Sequence, residues 1–258
     1  MKPIIFKKIF LLICISFFIT SCVSKQEIVY FQNAKKFETI VNTDTFTAKL
    51  KVGDIVGIYV STLDQTVTKP YNLVKVSGGT QGAGELIDYL IDIDGNIDYP
   101  VLGKVKLLGL SIEEVKTLFK KKFADSQLLK DPVIIVRILN FRITIHGEVN
   151  SPGVYPVSGE RISILEALGM AGDLTIKGRR DNVMVIRDFN GTKTISRIDL
   201  TTKELFDSPV YFLTQNDVIY VEPNNSAISN ASGDTRIGTI ISITSFILTT
   251  ALIFVTRN

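Results

Sequence analysis

Hydrophobic positions are spread unevenly along the chain, with an apolar run near each end and an alternating pattern between them. The first run, Ile9–Ile19, has eleven mostly apolar residues and follows Lys2, Lys7 and Lys8. Eleven residues are too few to span a bilayer, and a basic start before a short apolar run is typical of a secretory signal peptide. We therefore predict that residues 1–21 are removed as a signal peptide.

The residues at the end of this run predict a lipid attachment. Ile19, Thr20, Ser21 and Cys22 have the order of a lipobox, in which a branched apolar residue and two small residues precede a cysteine. The Cys22 thiol would carry a diacylglycerol, and Cys22 would become the first residue of the mature chain. The alternative is a cysteine buried in an uncleaved signal anchor. The pattern favours a lipoprotein, with residues 22–45 as the lead from the lipid to the first domain.

The second apolar run, Ile237–Val255, has nineteen residues without a charge. A helix of this length extends about 28 Å at 1.5 Å per residue, close to the roughly 30 Å of a hydrocarbon core. A helix is expected because it satisfies its own backbone hydrogen bonds in lipid. We predict a transmembrane helix over 237–255, joined to the body by a flexible linker over 224–236 that is rich in Asn, Ser, Ala and Gly.

Hydroxyl side chains follow one flank of this predicted helix. At 100° per residue, Thr239, Ser242, Ser245 and Thr249 share a flank, and these four are the candidate pore-lining residues. Such a stripe suits packing against neighbouring helices or facing water inside a ring of helices. The alternative is a single anchor whose hydroxyls bond to carbonyls of their own helix. Because a lipid already attaches the chain, we expect the helix to have a role beyond attachment.

The pattern between the two apolar runs alternates strands with short amphipathic helices and predicts an α+β body. Ser111 and Ser163 each begin a capping box that ends in a glutamate three residues later, so a helix is expected after each. One hairpin is expected within Tyr89–Tyr99, around Asp94–Asn96. A second hairpin is expected to turn at Asn190–Gly191.

A short sequence echo links the two halves of the body. The pattern divides near 139–141, which predicts one domain over 46–140 and another over 141–223. Val52–Ile58 in the first domain is similar to Gln215–Val221 in the second, and each reads as a turn that leads into a strand. The echo favours one turn-and-strand unit in each domain, and chance similarity between short turns is the alternative.

Composition excludes several classes of function. The chain has 258 residues, of which 45% are hydrophobic and 21% charged, and is too apolar for intrinsic disorder. Loss of the signal peptide leaves 26 of the 29 basic residues against 26 acidic ones, and a net charge near zero argues against nucleic acid as a partner. Cys14 would leave with the signal peptide and Cys22 would be acylated, so no thiol remains for a disulfide, a zinc site or catalysis.

The remaining side chains single out no catalytic or metal site. His146, the only histidine, lies in an apolar strand, where a structural role is expected. Strand alternation places Asp88, Asp92, Asp94 and Asp98 on one solvated face, and the ligand order of an EF-hand is missing. We therefore expect no enzyme, no metal and no cofactor. A glycosidase would need two carboxylates in one cleft, and the candidates are Glu85, Glu113, Glu114, Glu148 and Glu166.

Three stretches of the body carry a resemblance to a known family. Lys51–Val60 is a glycine-aspartate turn that leads into a strand. Ile91–Val105 has aspartates, a glycine, a strand, a proline and a second glycine, and Gly109–Glu114 then begins a capped helix. His146–Tyr155 is a glycine-rich turn, followed by the capped helix of Ile164–Gly172. In this order they resemble the Wza-type polysaccharide export family of outer-membrane lipoproteins.

The resemblance implies a fold and a place for each part of the chain. It implies a polysaccharide export domain, then one soluble-ligand-binding β-grasp (SLBB-like) domain, then a C-terminal transmembrane α-helix. The chain would be lipid-anchored in the outer membrane with its body in the periplasm. Its partners would be membrane lipid, a polysaccharide substrate, other copies in a homo-oligomeric ring whose helices line a pore, and an inner-membrane co-polymerase or export partner that supplies energy.

Three functions are therefore considered. The leading hypothesis is a non-enzymatic subunit of an outer-membrane channel that exports capsular polysaccharide or exopolysaccharide. The alternative is a membrane-tethered lipoprotein that binds carbohydrate or peptidoglycan and forms no pore. A glycan-processing enzyme is the third, and its activity would depend on a carboxylate such as Glu85 or Glu148.

Overall fold

The computed structural model describes residues 28–39, 47–75, 85–189, 191–231 and 235–257. Within these residues the body has two hydrophobic cores, one built largely from residues 50–136 and the other from residues 141–221. Strands and helices contribute to both cores, which confirms the predicted mixture of α and β structure. The predicted signal peptide and Cys22 lie outside the described residues.

The first domain consists of short antiparallel strands and one long helix. The elements are β1 (Ile55–Ser61), a 3₁₀ helix (Gln65–Tyr71), β2 (Val74–Lys75), β3 (Glu85–Leu86), β4 (Tyr89–Leu90), β5 (Asn96–Tyr99), β6 (Gly103–Lys106), α1 (Ile112–Asp125) and β7 (Val133–Ile138). The main sheet has three strands in the order β4-β1-β7, and β2-β3 and β5-β6 form two further pairs.

Helix α1 covers the inner face of this sheet. Side chains alternate along β1, so that Val56, Ile58 and Val60 are buried while their neighbours are more exposed, as expected of a strand with one covered face. Phe119 and Phe123, one helical turn apart on α1, are fully buried in the same core. The predicted capping box is confirmed, and α1 extends to Asp125.

The predicted hairpin within Tyr89–Tyr99 is wrong. The turn at its centre forms, because the Asp92 carboxylate accepts the N–H groups of Asp94 and Asn96 at 3.0 and 2.7 Å. The strands on its two sides do not pair with each other. Strand β4 pairs with β1, and β5 pairs with β6. A local turn sets a change of direction, whereas pairing depends on the strands that the rest of the domain brings alongside.

The second domain is built around a five-stranded mixed sheet. The elements are β8 (Arg142–Gly147), β9 (Gly153–Pro156), β10 (Ile162–Ser163), α2 (Ile164–Met170), β11 (Gly178–Phe189), β12 (Thr192–Ile198), a 3₁₀ helix (Lys203–Asp207), β13 (Phe212–Leu213) and β14 (Val218–Pro223). The strand order is β12-β11-β14-β8-β9, in which β8 and β14 lie side by side and parallel and the other pairs are antiparallel. The predicted hairpin at Asn190–Gly191 is confirmed by the pairing of β11 with β12 on either side of it.

Helix α2 closes the core of the second domain. Its predicted capping box is confirmed: Ser163 Oγ accepts the Glu166 N–H, and Glu166 Oε2 accepts the Ser163 N–H at 2.7 Å. Ala167 and Leu168 are buried in the domain core. The helix ends at Met170, and Gly172 and Asp173 follow with positive φ angles of 73° and 67°.

Two helices follow the body, α3 (Asn225–Ala231) and α4 (Thr235–Arg257). Helix α3 lies in the segment that the sequence predicts to be a flexible linker. It forms because Asn224 Oδ1 accepts the Ala227 N–H at 2.9 Å and the Ala227 side chain is buried.

Helix α4 confirms the predicted C-terminal helix. Among the described residues, however, no helix is long and apolar enough to cross a membrane, so the predicted span over 237–255 is not confirmed.

The described part of the N-terminal lead packs on the second domain, although the sequence predicts that it leads to the first. Tyr30 and Phe31 are partly buried against the core of the second domain. The backbone N–H of Phe31 donates to the carbonyl of Leu200 at 3.3 Å. The sequence alone does not predict this contact, because the surface that Tyr30 and Phe31 pack against is about 170 residues away along the chain.

Candidate functional site

Helix α4 carries the predicted pore-lining residues, and the structure shows where their hydroxyls bond. Ser242 Oγ donates to the carbonyl of Gly238 at 2.8 Å, and Ser245 Oγ donates to the carbonyl of Ser242 at 2.9 Å. Thr249 Oγ1 likewise donates to the carbonyl of Ser245. Each hydroxyl keeps acceptor capacity for water or a second helix. Thr239 lies on the same helix, with its side chain exposed.

Large apolar side chains of α4 are exposed on the single chain. Phe246 is 73% exposed, and five isoleucines are each more than half exposed. Exposed apolar surface of this extent on one helix is unusual for a soluble protein and marks an interaction surface for lipid or for another protein. The exposed isoleucines are Ile240, Ile241, Ile243, Ile247 and Ile253.

A second candidate region is the junction between the two domains, where the two echoed turns meet. Lys51 lies in the first turn and is largely buried; its ammonium donates to Thr214 Oγ1 at 3.1 Å and to the Gln215 carbonyl at 2.9 Å in the second turn. Burial lowers the pKa of Lys51, while the nearby Asp217 carboxylate opposes this shift. The sequence echo therefore corresponds to two turns that contact each other.

Asn140, at the predicted division of the chain, links both turns. Its side chain accepts the Ile55 N–H at 2.9 Å and donates to the Gly53 carbonyl at 3.0 Å. Its backbone carbonyl accepts from Gln215 Nε2 at 2.6 Å, and Gln215 Oε1 accepts the Arg142 N–H. One residue between the domains thus holds the backbone of the first turn and a side chain of the second.

Two aspartates occupy the same position in the two turns. Asp54 Oδ2 accepts the N–H of Lys51 at 2.8 Å, and Asp217 Oδ2 accepts the N–H of Thr214 at 2.7 Å. Both aspartates are buried, and Asp217 also makes a salt bridge with Arg187 at 2.7 Å. Burial raises the pKa of Asp54, whose Oδ1 has no hydrogen-bond partner among the described residues. These aspartates therefore shape the two turns.

The residues considered for catalysis or metal binding are dispersed. His146 is exposed on β8, and Glu148 accepts a hydrogen bond from Thr175 Oγ1 at 2.8 Å. Glu114 caps α1, and its hydrogen bonds, first that from Lys49, lower its pKa to about 2. The side chain of Glu85 lies outside the described part of the chain. Within that part, no group of three or more histidines, cysteines or carboxylates could hold a metal ion.

The first domain has an open cleft of about 520 Å³ beside β4 and β5. Asp88 and Asp98 line it, and their carboxylates could accept hydrogen bonds from sugar hydroxyls. Tyr89 and Tyr99 also line the cleft, but both residues are buried in the domain core. The cleft therefore offers acceptors for a carbohydrate without an exposed aromatic platform.

Comparison with known proteins agrees with this architecture. Residues 43–139 match the family model of polysaccharide biosynthesis/export proteins, and residues 142–196 match the SLBB domain. The EPS I polysaccharide export outer membrane protein EpsA of Ralstonia solanacearum is 25% identical over 211 residues, which are 75% of this chain and 54% of the relative. EpsA of Ralstonia nicotianae is 24% identical over 198 residues, 72% of this chain and 50% of the relative.

The chain spans about half the length of the curated relatives it matches. The two family models together cover more than half of the chain, and they follow the order of the two domains in the structure. The resemblance carried by the sequence motifs is thereby confirmed at the level of the family. The chain therefore contains a domain of the polysaccharide biosynthesis/export family followed by an SLBB domain.

Proposed function

We propose that this chain is a non-enzymatic subunit of an outer-membrane channel that exports exopolysaccharide or capsular polysaccharide. The observation that carries the proposal is the ordered match of an export domain and an SLBB domain, followed by a helix with exposed apolar and hydroxyl side chains. The names of the two EpsA relatives, which are outer-membrane polysaccharide export proteins, support the outer membrane as the site of action.

The chemistry of the cargo explains why such a helix would be needed. A polysaccharide cannot dissolve in hydrocarbon, because each hydroxyl that loses water without gaining a partner costs several kcal/mol. The polysaccharide therefore needs a water-filled passage through the membrane. A ring of helices satisfies its own backbone hydrogen bonds and can present hydroxyls to water and apolar side chains to lipid. A helix in such a ring meets lipid on one side only, so it needs less apolar surface than a lone span.

In this proposal each segment has a separate role. Acylated Cys22 attaches the chain to the membrane, and copies of the chain form a homo-oligomeric ring. Thr239, Ser242, Ser245 and Thr249 of α4 face the water-filled passage. The wall conducts passively, so the energy comes from an inner-membrane co-polymerase or export partner that works with the periplasmic body.

Deletion of residues 237–258 is the first test. We expect the variant to remain folded and acylated while surface polysaccharide disappears, because the passage through the membrane is lost. Polymer would be measured on intact cells, and acylation by mass spectrometry of the N-terminal peptide. Unchanged export by this variant would refute a pore role for the helix. Electron microscopy of detergent-extracted protein should show closed rings, and a strictly monomeric full-length chain would contradict the ring.

A matched pair of substitutions tests which flank of α4 faces the passage. Ser245 lies on the predicted hydroxyl flank and Thr244 lies off it, and both donate to carbonyls of their own helix. Ser245→Leu should narrow the passage and lower both export and single-channel conductance, whereas Thr244→Leu should leave both near the level of the unmodified chain. Equal effects of the two substitutions would assign the helix to anchoring alone.

A carbohydrate-binding lipoprotein without a pore is the second candidate, and the cleft beside β4 and β5 is the observation that favours it. This function predicts saturable binding of oligosaccharide that is lost in the Asp88→Asn, Asp98→Asn double variant, because the amides replace charged acceptors. It also predicts no conductance in planar bilayers. Conductance together with absence of oligosaccharide binding would decide for the channel.

A further inference from the structure

Helix α1 covers the inner face of the three-stranded sheet in the first domain, whereas the opposite face is exposed. Along β7, the side chains of Ile134 and Val136 are buried in the core, so the residues that alternate with them point away from it. Two of these, Val133 and Ile135, are apolar and exposed. The exposed surface is called the outer face below, and it consists of Tyr59, Leu90, Val133, Ile135, Arg137 and Leu139.

The outer face extends across all three strands. The strand register places Tyr59 of β1 beside Ile135, and exposed Leu90 of β4 beside the first residue of β1. Leu139 is exposed and lies over Gly57, where an added Cβ would meet Leu139 Cδ1 at 3.3 Å. Apolar side chains that are exposed together on neighbouring strands, unlike scattered single ones, mark an interaction surface.

Strand β7 is also an edge of this sheet. The strand order β4-β1-β7 gives β7 one hydrogen-bonded neighbour within the described part of the chain. An exposed, apolar edge strand can pair with other chains, so natural proteins keep such edges short, charged or covered. Strand β7 has six residues, of which Arg137 alone is charged. We therefore expect another surface to cover this edge when the protein is assembled.

Arg137 indicates the chemistry of that covering surface. It stands opposite Gly57 in the strand register, and its guanidinium has no hydrogen-bond or salt-bridge partner among the described residues. Apolar Ile135 and Leu139 lie two positions before and after it. A guanidinium offers a planar fork of donors that matches a carboxylate. The occupant of the outer face should therefore bring an apolar side chain and a carboxylate close together.

The turn Asp92–Gly95, called the tip below, carries this combination. Ile93 is 86% exposed, and the next residue, Asp94, is exposed as well. The Asp92 carboxylate fixes the turn through its hydrogen bonds from backbone N–H groups. The Asp94 carboxylate itself accepts no hydrogen bond from any described residue. The tip thus presents one apolar side chain and one available carboxylate on a fixed turn.

The tip and β7 lie on opposite sides of the sheet. The tip follows β4, which is one edge strand, and β7 is the other. Neighbouring strands are about 4.8 Å apart, so roughly 10 Å separates β4 from β7. The tip also extends past the start of β1, because the Gly53 N–H donates to the Ile91 carbonyl at 3.0 Å, whereas Arg137 lies beside Gly57. One copy can therefore offer its tip to one neighbour and its outer face to another.

We propose that the tip of one copy docks on the outer face of the next copy in the ring. Ile93 then packs beside Ile135 and Leu139, and the Asp94 carboxylate pairs with Arg137 across the contact. The inference rests on the proposed function, since it assumes that copies of the chain form a ring, and it names the surfaces of the first domain that meet. A contact between two different surfaces is heterologous, and its repetition gives a ring when the rotation between copies closes.

The two parts of the contact have different roles. The apolar side chains supply most of the binding, because their exposed surface leaves water on association. The ion pair fixes the register and excludes wrong pairings, because an exposed ion pair by itself contributes little, whereas like charges brought together are costly. Reversal of one charge should therefore have a larger effect than its removal.

A charge-exchange cycle on the full chain tests the pairing. Asp94→Arg and Arg137→Asp each place like charges across the contact, so each should raise the concentration at which rings assemble in detergent by about tenfold. The double variant has opposite charges again, in exchanged positions, and should recover most of the lost assembly. Sedimentation velocity of the detergent-extracted protein measures the fraction of chains in rings.

Two controls separate the contact from folding and from net charge. Lys121 is exposed on α1, which covers the other face of the sheet, so Lys121→Asp makes the same change in charge and should leave assembly unchanged. The substituted side chains are exposed, so thermal unfolding should be unaltered. If a reversal does not fold, Asp94→Asn or Arg137→Gln removes the ion pair and should weaken assembly by a smaller factor.

Disulfide cross-linking tests whether the tip reaches the outer face. Chains with Ile93→Cys are mixed with chains with Leu139→Cys and oxidised, and the mixture should give a covalent dimer. Chains with Ile93→Cys mixed with chains with Lys121→Cys should give no more dimer than the unmodified chain, which accounts for its own cysteines. Equal dimer in the two mixtures would overturn the proposed contact.

The outcomes separate this inference from the proposed function. Rings that assemble equally well in both charge reversals would overturn the docking even if export is intact. Losses in the single variants without recovery in the double variant would overturn the pairing of Asp94 with Arg137. Rings that show the full loss and recovery, in a chain that exports no polymer, would refute the channel and leave the contact in place.

Discussion

The turn before β1 and the turn before β14 have the same local geometry in different surroundings. In each, a buried aspartate accepts the N–H of the residue three positions earlier, and the residue directly before the aspartate has a positive φ, 84° at Gly53 and 62° at Asn216. In both of the strands that follow, buried side chains alternate with partly buried ones. The sequence echo between the two segments therefore reflects a shared local structure.

Their surroundings differ in charge and in strand pairing. Asp217 is contacted by Arg187 and by Thr214 Oγ1, whereas Asp54 has one oxygen without a hydrogen-bond partner among the described residues. The first turn leads into a strand with antiparallel neighbours, and the second leads into a strand with a parallel neighbour, β8. The comparison teaches that an aspartate can determine a turn locally, while the fold around it decides whether its charge is stabilised.

The largest difference between the turns is expected on removal of the aspartates. Asp217→Ala should destabilise the chain by about 3–5 kcal/mol, because it leaves the Arg187 guanidinium without its buried partner. Asp54→Ala should cost less, about 1–2 kcal/mol, because it removes a turn hydrogen bond and no ion pair. Chemical denaturation of the two variants gives both free energies, and equal losses would contradict the difference assigned to Arg187.

Asn140→Ala tests the contact between the turns. It should lower the free energy of unfolding by about 1–3 kcal/mol, because the Ile55 N–H and the Gly53 carbonyl lose their hydrogen-bond partner. Asn72→Ala is the matched control, because Asn72 makes the same two kinds of hydrogen bond to Val60 within the first domain. Only Asn140→Ala should also accelerate amide exchange at Asn216 in the second turn. Equal exchange at Asn216 in the two variants would show that Asn140 does not couple the domains.

Asp54→Asn should mainly change how stability depends on pH. At neutral pH we expect its free energy of unfolding to differ from that of the unmodified chain by less than about 1 kcal/mol. Burial raises the pKa of Asp54 above its ordinary value of 3.8, so the folded chain retains this proton to higher pH than the unfolded chain does. The stabilisation from the protonated acid is complete below 3.8 and is lost as the pH rises through the folded value. Thermal unfolding of both proteins above pH 3.8 should show this loss in the unmodified chain and not in Asp54→Asn.

The smallest expected effects concern the positive φ angles. Gly53→Asn should cost no more than about 0.5 kcal/mol, because asparagine tolerates the left-handed region and an added Cβ meets no atom within 4 Å. Gly53→Ala should cost about 1–2 kcal/mol, the typical penalty of that region for a residue with a Cβ. Thermal unfolding of the two variants measures the difference, and equal losses would mean that the backbone conformation of this turn is not what limits substitution.

Features that depend on neighbours within a few residues could be predicted from the sequence. Both capping boxes, the hairpin at Asn190–Gly191 and the C-terminal helix are present as the pattern predicts. The hairpin within Tyr89–Tyr99 is wrong although its turn forms, because β4 and β5 each pair with a different strand. The spacing of the hydroxyl side chains on α4 predicts the candidate pore-lining residues, and their proposed orientation toward a passage depends on contacts between copies of the chain.

The sequence alone determined the positions of the two apolar runs, the caps, the aspartate turns and the family resemblance, because each depends on the order of side chains over a short span. Only the tertiary structure decided that Lys51 of the first turn reaches Gln215 of the second, that Asp217 meets Arg187, and that Phe31 stacks on Phe206. These partners are between 30 and 175 residues apart, and their contacts form only when packing of the two cores has brought distant segments together.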